Sequence, residues 1–272
     1  MKQIFTVANK EFHDGLRNRW LVSITLIFAL LSIGLTYFGA AASGEVGVAS
    51  LSTTVASLAS LAVFLIPLIA LLLSYDSFVG EQESGTLLLL LTYPLSKSQL
   101  LLGKFIGQGG IIALATLLGF GASAVLLYFQ QGDTDIFSAF ALFIFTAILL
   151  GLSFTAISYL ISLSVNEKSK AAGFALIIWF LFALAFDLAL LALLVGVEDG
   201  VSQQGLTQLM MLNPADIFRL VNLAGLDSSA VNGALAAAIN ASLSQGQLIL
   251  ALVAWVILPL TLAIIIFKKK TL

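Results

Sequence analysis

Residues 58–75 read LASLAVFLIPLIALLLSY, and residues 76–97 continue DSFVGEQESGTLLLLLTYPLSK. The first run carries no charge and is long enough to cross a hydrocarbon core of roughly 30 Å as a helix. The second run begins too charged to stay in a bilayer. It then becomes too apolar, at Leu87 to Leu91, to float free in water. A segment with both traits suits a short helix held between the membrane and a partner on the same side. Glu81 and Glu83 near its start would favour the helix dipole, and Pro94 ends it. Five successive leucines also argue against a transmembrane barrel, whose strands alternate apolar and polar positions.

The same reading extends along the chain. Apolar stretches recur at residues 20–42, 58–75, 105–129, 136–165, 171–195 and 248–267. The 272 residues are 60% hydrophobic and only 10% charged, whereas a soluble domain has roughly 25% charged residues. Such a chain could not cover a water-facing surface without large apolar patches. The fold expected is therefore an all-α integral membrane protein with six transmembrane helices. Residues 1–272 form one transmembrane domain, divided into an interfacial helix (1–19), spans one to five (20–195), an outer segment (196–247) and span six (248–267).

Eleven of the twelve Lys and Arg residues lie before span one, between spans two and three, between spans four and five, or after span six. Only Arg219 falls on the other side. By the positive-inside rule the lysine-rich side is cytoplasmic, with both termini there. The outer loops are acidic, with Glu45, Asp133, Asp135, Glu198, Asp199, Asp216 and Asp227.

Met1 to Arg19 reads as an amphipathic helix in the inner interface. Ile4, Phe5, Ala8, Phe12 and Leu16 share an apolar arc, opposite Lys10, His13, Asp14 and Arg17. Asp14-Gly15 is the expected bend into the membrane. In the outer segment, Asn213 as N-cap, Pro214 at the first helical position and Asp216 in the first turn make a good helix start. Ile217, Leu220, Val221 and Ala224 share a face, and residues 230–243 suit a second short helix. Helices this apolar must pack on lipid, on the spans or on an extracytoplasmic protein. The docking candidates are Asn213, Asp216, Phe218 and Arg219.

Catalytic chemistry is sparse. There is no cysteine, so no thiolate and no disulfide frame. His13 is the only histidine and lies outside the spans, which excludes a serine protease within the membrane and a His-based metal cluster. No phosphate-binding loop is present. Before Gly103-Lys104, Ser98 occupies the place of its first glycine, and Phe105 that of its hydroxyl. Adjacent Met210 and Met211 suit apolar packing better than copper. No cofactor, metal or nucleic acid is expected. Asp187 is the one acid deep in a span, and an intramembrane carboxyl group is a functional candidate. Gly103-x-x-x-Gly107 and Gly119-x-Gly121 permit close helix approach, including between subunits.

Three blocks go beyond generic membrane sequence. Gly80-Glu81-x-Glu83-x-Gly85-Thr86-Leu87, then Thr92-x-Pro94-Leu95-Ser96, then Leu102-Gly103-Lys104, resembles the segment between the second and third spans of ABC-2-type ABC transporter permeases. Glu11-x-x-Asp14-Gly15-Leu16-Arg17 and Leu212-Asn213-Pro214-Ala215-Asp216-Ile217-Phe218-Arg219-Leu220 look like the branch that serves copper-centre assembly in nitrous oxide reductase. The resemblance implies a type V exporter-like permease in a bacterial inner membrane, non-catalytic itself and paired with a second copy. ATP and Mg would sit on a separate cytoplasmic ABC ATPase. Gly80, Glu81, Glu83, Gly85 and Thr86 would form the coupling helix that meets it, and a periplasmic β-helical protein would sit on the outer loops. The competing readings are an ion-gradient-driven secondary transporter using Asp187 and a non-transporting membrane anchor.

Overall fold

A computed structural model describes residues 2–38, 50–196, 203–223 and 244–270. The described secondary structure is helical. Six helical stretches are long and apolar enough to cross a membrane, in agreement with the hydropathy reading. Span one is α2 (Trp20–Phe38), preceded by α1 (Lys2–Arg17). Span two is α3 (Leu51–Ser74), which starts well before residue 58 because Ser50 caps it by accepting a hydrogen bond from the Thr53 N–H. Two short helices follow, α4 (Val79–Glu83) and α5 (Thr86–Thr92). Spans three and four are α6 (Lys97–Gln131) and α7 (Asp135–Ser164). Span five is α8 (Lys168–Phe180), a π-helical turn (Leu181–Ala185) and α9 (Phe186–Gly196). Then come α10 (Gln203–Met210), α11 (Pro214–Leu223) and span six, α12 (Gln245–Lys269). Glu45, Glu198, Asp199, Asp227, Ala224 and the helix expected over 230–243 lie outside the described residues.

α7 is the most enclosed span, and α3, α6 and α12 pack around it. α2 lies on α6, where Gly119 admits Phe28. A Cβ at that glycine would stand 2.4 Å from the Phe28 Cβ. The span formed by α8 and α9 is the least enclosed, with Phe174, Ile177, Phe180, Leu188 and Val195 facing outward.

α1 packs on the bundle by a narrow face of small residues. The side chains it buries are Val7, Ala8 and Gly15, whereas Phe5 and Leu16 face outward. The reason lies in α6, whose Gly103 and Gly107 leave no room for large groups. A Cβ on Gly103 would stand 2.5 Å from Val7 Cβ, and one on Gly107 would stand 2.7 Å from the Ala8 carbonyl oxygen. The two glycines therefore seat α1 within the chain. Nor does the chain bend at Asp14-Gly15. α1 runs through both residues and breaks at Arg19, whose φ is 59°, while Gly15 packs against Ile111.

The lysine-rich segments meet at one end of the bundle. Gln3 donates to the Pro94 carbonyl at 2.6 Å and Lys97 to the Lys270 carbonyl at 2.6 Å. Lys270 Nζ reaches the Leu163 carbonyl at 3.0 Å. The first and last described turns of the chain thus share this end.

Candidate functional site

At the lysine-rich end, α1, α4, α6 and the start of α8 enclose a cleft of about 660 Å³. One cation ties its walls together. Lys104, on α6, donates to Glu81 Oε1 at 2.7 Å and to Glu11 Oε1 at 3.0 Å, and its side chain is 3% exposed. Burying an ammonium is costly unless it is paired, and here two carboxylates from two other helices supply the pairing. The second oxygen of Glu81, Oε2, is buried with no hydrogen-bond partner among the described residues.

A neutral network lies just inside this triad. Gln108 donates to Ser77 Oγ at 2.8 Å and accepts from the buried Tyr159 hydroxyl at 3.0 Å. Ser162 Oγ, on α7, accepts the backbone N–H groups of Phe78 and Val79, both at 3.1 Å. Those are first-turn donors of α4 that its own ladder leaves unpaired. The loop after span two is therefore held by α6 through charge and by α7 through backbone capping.

Of the residues expected to form the coupling element, Glu81 lies in the first turn of α4 and faces inward to Lys104. Glu83 stands at the other end of that helix, not near its start. Its carboxylate accepts the Lys168 N–H at 2.6 Å and so complements the N-terminus of α8. Lys168 Nζ also pairs with Asp76 at 2.7 Å. Gly85 joins α4 to α5 at φ 72°, a left-handed conformation that favours glycine. Thr86 Oγ1 donates to the Glu81 carbonyl at 3.3 Å and closes the turn. At Gly80 a side chain would make only ordinary contact with Asp76. Leu88, Leu89 and Tyr93 remain exposed beyond the turn.

A second polar cluster lies toward the opposite end. Asp187 accepts a hydrogen bond from Arg219 of α11, outside the spans, at 2.6 Å. The same Arg219 nitrogen lies 3.3 Å from Asp216. Asn213 caps α11 by accepting the Ala215 N–H at 2.9 Å. It donates to Asp216 at 3.1 Å and to the Phe182 carbonyl at 2.9 Å. Phe182 lies in the π-helical turn, where the widened ladder leaves a carbonyl for an outside donor. Asn213, Asp216 and Phe218 are fully buried in the protomer and Arg219 nearly so. Burial raises the Asp216 carboxyl to about 8, and the neighbouring Asp187 carboxyl adds to the shift. Met210 is buried in apolar packing. No group of three or more His, Cys, Asp or Glu suited to a metal is found among the described residues.

A family model described as ABC-2 family transporter protein matches residues 5–272. The chain belongs to the ABC-2 transporter family. It is similar over 273 residues, at 51% identity, to "Probable ABC transporter permease protein NosY" of Pseudomonas aeruginosa, with 99% of each chain covered. It is 50% identical over 274 residues to the protein of the same name from Stutzerimonas stutzeri, again over 99% of both. The chain is thus an ABC-2 permease subunit and a multi-pass membrane protein.

Sequence reasoning missed Lys104, Glu11, Gln108, Tyr159 and Ser162 as site residues, although Glu11 and Lys104 stood in the blocks that carried the family resemblance. Glu11 had a readable signal: it sits four residues from both Val7 and Gly15, an acid on the face that packs inward.

Proposed function

We propose that this permease transmits the work of a separate cytoplasmic ABC ATPase across the membrane, to move a solute or to drive a periplasmic partner. By likeness to the NosY relatives, the process served is assembly of the copper centres of nitrous oxide reductase. The lysine-rich end faces the cytoplasm of a bacterial inner membrane, so both termini are inside. Two copies of the permease pair, each above one NosF-like ATPase that carries the ATP and Mg. A NosD-like β-helical protein sits on the outer segment.

The observation that carries this reading is the Lys104 triad. ATP-driven closure of the ATPases displaces the α4–α5 turn at Gly80, Glu81, Glu83, Gly85 and Thr86. Through Glu81 and Lys104 the displacement reaches α6, through Ser162 it reaches α7, and through Glu11 it moves α1. All three are rigid helices, so the motion is transmitted as a rigid-body shift. At the far end Asn213, Asp216, Phe218 and Arg219 serve docking by holding α11 in place beneath the partner. The chain itself supplies no bond-making chemistry.

The test is the double variant Glu81→Gln, Gly85→Val in the assembled complex. The expected result is an intact permease dimer with ATPase activity that no longer supports nitrous oxide reductase maturation. Maturation at the wild-type level would overturn the assignment.

A further inference from the structure

The buried cluster between span five and α11 has an unbalanced charge. Two carboxyl groups, Asp187 and Asp216, share one guanidinium, Arg219. Their side chains are 31%, 1% and 15% exposed. Both carboxyl groups lie against the same guanidinium nitrogen, at 2.6 Å and 3.3 Å. Two like charges crowded on one guanidinium disfavour each other, most of all at the enclosed Asp216.

No other described ionisable group supplies a balancing charge. α3 and α10 contain none. α7 meets α11 at Thr146, which accepts a hydrogen bond from Asn222 at 2.9 Å. The ionisable groups of α7, Asp135 and Tyr159, lie about three turns to either side of that residue. The lysines of α8 and α12 belong to the opposite end.

We infer that Asp187, Asp216 and Arg219 form a one-proton binding site whose occupancy holds α9 against α11, and whose emptying releases that joint. With the proton bound the cluster is neutral, as one guanidinium, one carboxylate and one carboxylic acid. Without it, two carboxylates face each other and the excess negative charge favours separation of the helices. The proton leaves to solvent on the outer side, which the partial exposure of Asp187 makes reachable. The direction of the Asp216 shift agrees with this. The outer half of span five also packs Leu190 against Ile217 and Val221 of α11, so this joint adds a charge-controlled fastening to an apolar one.

The test uses the full permease in lipid nanodiscs. Infrared spectra recorded from pH 6 to pH 10 should contain a protonated carboxylic acid band that disappears with a midpoint near pH 8. The band should be absent in Asp216→Asn and in Asp187→Asn, so if one variant does not fold the other still decides. The chain has no native cysteine, so spin labels at Leu188→Cys and Leu212→Cys, both exposed in the parent, report the joint directly. Their distance should lengthen above pH 8 in the parent. It should stay short at all pH values in Asp216→Asn, which mimics the protonated state. The inference is overturned if no band titrates above pH 6, if the band survives in Asp216→Asn, or if the label distance ignores pH in the parent.

Discussion

Lys104 Nζ stands 2.7 Å from Glu81 Oε1, and that contact ties the loop after span two to span three. The same ammonium holds Glu11 of α1, so one side chain fastens two mobile-sized elements to the bundle. Replacement by methionine keeps the length and removes the charge. Lys104→Met leaves the Glu81 carboxylate unpaired, with Glu11 keeping only the exposed Lys10 at 3.1 Å, and removing one partner of a buried pair costs about 3–5 kcal/mol. The cost should fall at the lower end, because both carboxylates border the open cleft. Thermal unfolding of the purified permease should show the loss, and ATPase coupling should fall with it. An unchanged melting temperature would remove the triad from the account.

Gly107 and Ala8 set the seat of α1. A Cβ at Gly107 would lie 2.6 Å from the Glu11 Cβ and 2.7 Å from the Ala8 carbonyl oxygen, and a backbone atom cannot swing aside. Gly107→Val should lift α1 from α6. With Ala8→Cys as a reporter, thiol labelling should be slow in the parent and fast with the valine present.

Ser162 accepts two buried N–H groups at the start of α4. Ser162→Ala orphans both, at about 1–3 kcal/mol each. Hydrogen exchange at the Phe78 and Val79 amides should accelerate while exchange in the middle of α7 stays slow. Equal rates in the two proteins would mean that α4 does not depend on this cap.

Gly85 separates backbone strain from crowding. Its φ is 72°, and nothing lies within 4 Å of where a Cβ would stand. The cost of a side chain there is therefore the left-handed backbone alone, about 1–2 kcal/mol. Gly85→Asn should keep most of the coupling, because asparagine tolerates that conformation, whereas Gly85→Val should lose it. Maturation assays on the pair should rank parent, asparagine, valine.

Asp216 gives the outer cluster a pH signature. Folding raises its carboxyl to about 8 through burial and the nearby Asp187 carboxyl. Its unfolded value is about 3.9. The folded state therefore holds more protons between those values, so this contribution to stability is complete below about pH 4 and is lost as pH rises through 8. Melting temperature should fall for the parent between pH 6 and 9, and fall less for Asp216→Asn. The difference between the two curves isolates this group from Lys270, whose ammonium burial pushes down.

Much of the architecture was legible without coordinates. An uncharged run such as residues 58–75 has one stable state in lipid, because every backbone polar group must be paired internally. Lysine placement likewise grouped the loops that Lys97, Lys168 and Lys270 bring together at one end. Less legible was the facing of individual side chains. Of the apolar arc of α1, Ala8 and Phe12 pack on α6 while Phe5 and Leu16 face outward, and Val7, outside the arc, fills the space at Gly103.

Residue order alone makes this chain a six-span helical membrane protein with a short amphipathic turn after span two. Hydrophobicity over about twenty residues is a local property, and it is written into each segment independently. Which charges meet is settled by how the helices pack. Glu11 and Lys104 are 93 positions apart, and Asp187 and Arg219 are 32 apart. Whether such a pair forms depends on helix rotation and crossing, which packing sets through glycines and a π-helical turn elsewhere in the chain. A buried ion pair is a property of two surfaces brought together, and neither surface carries it alone.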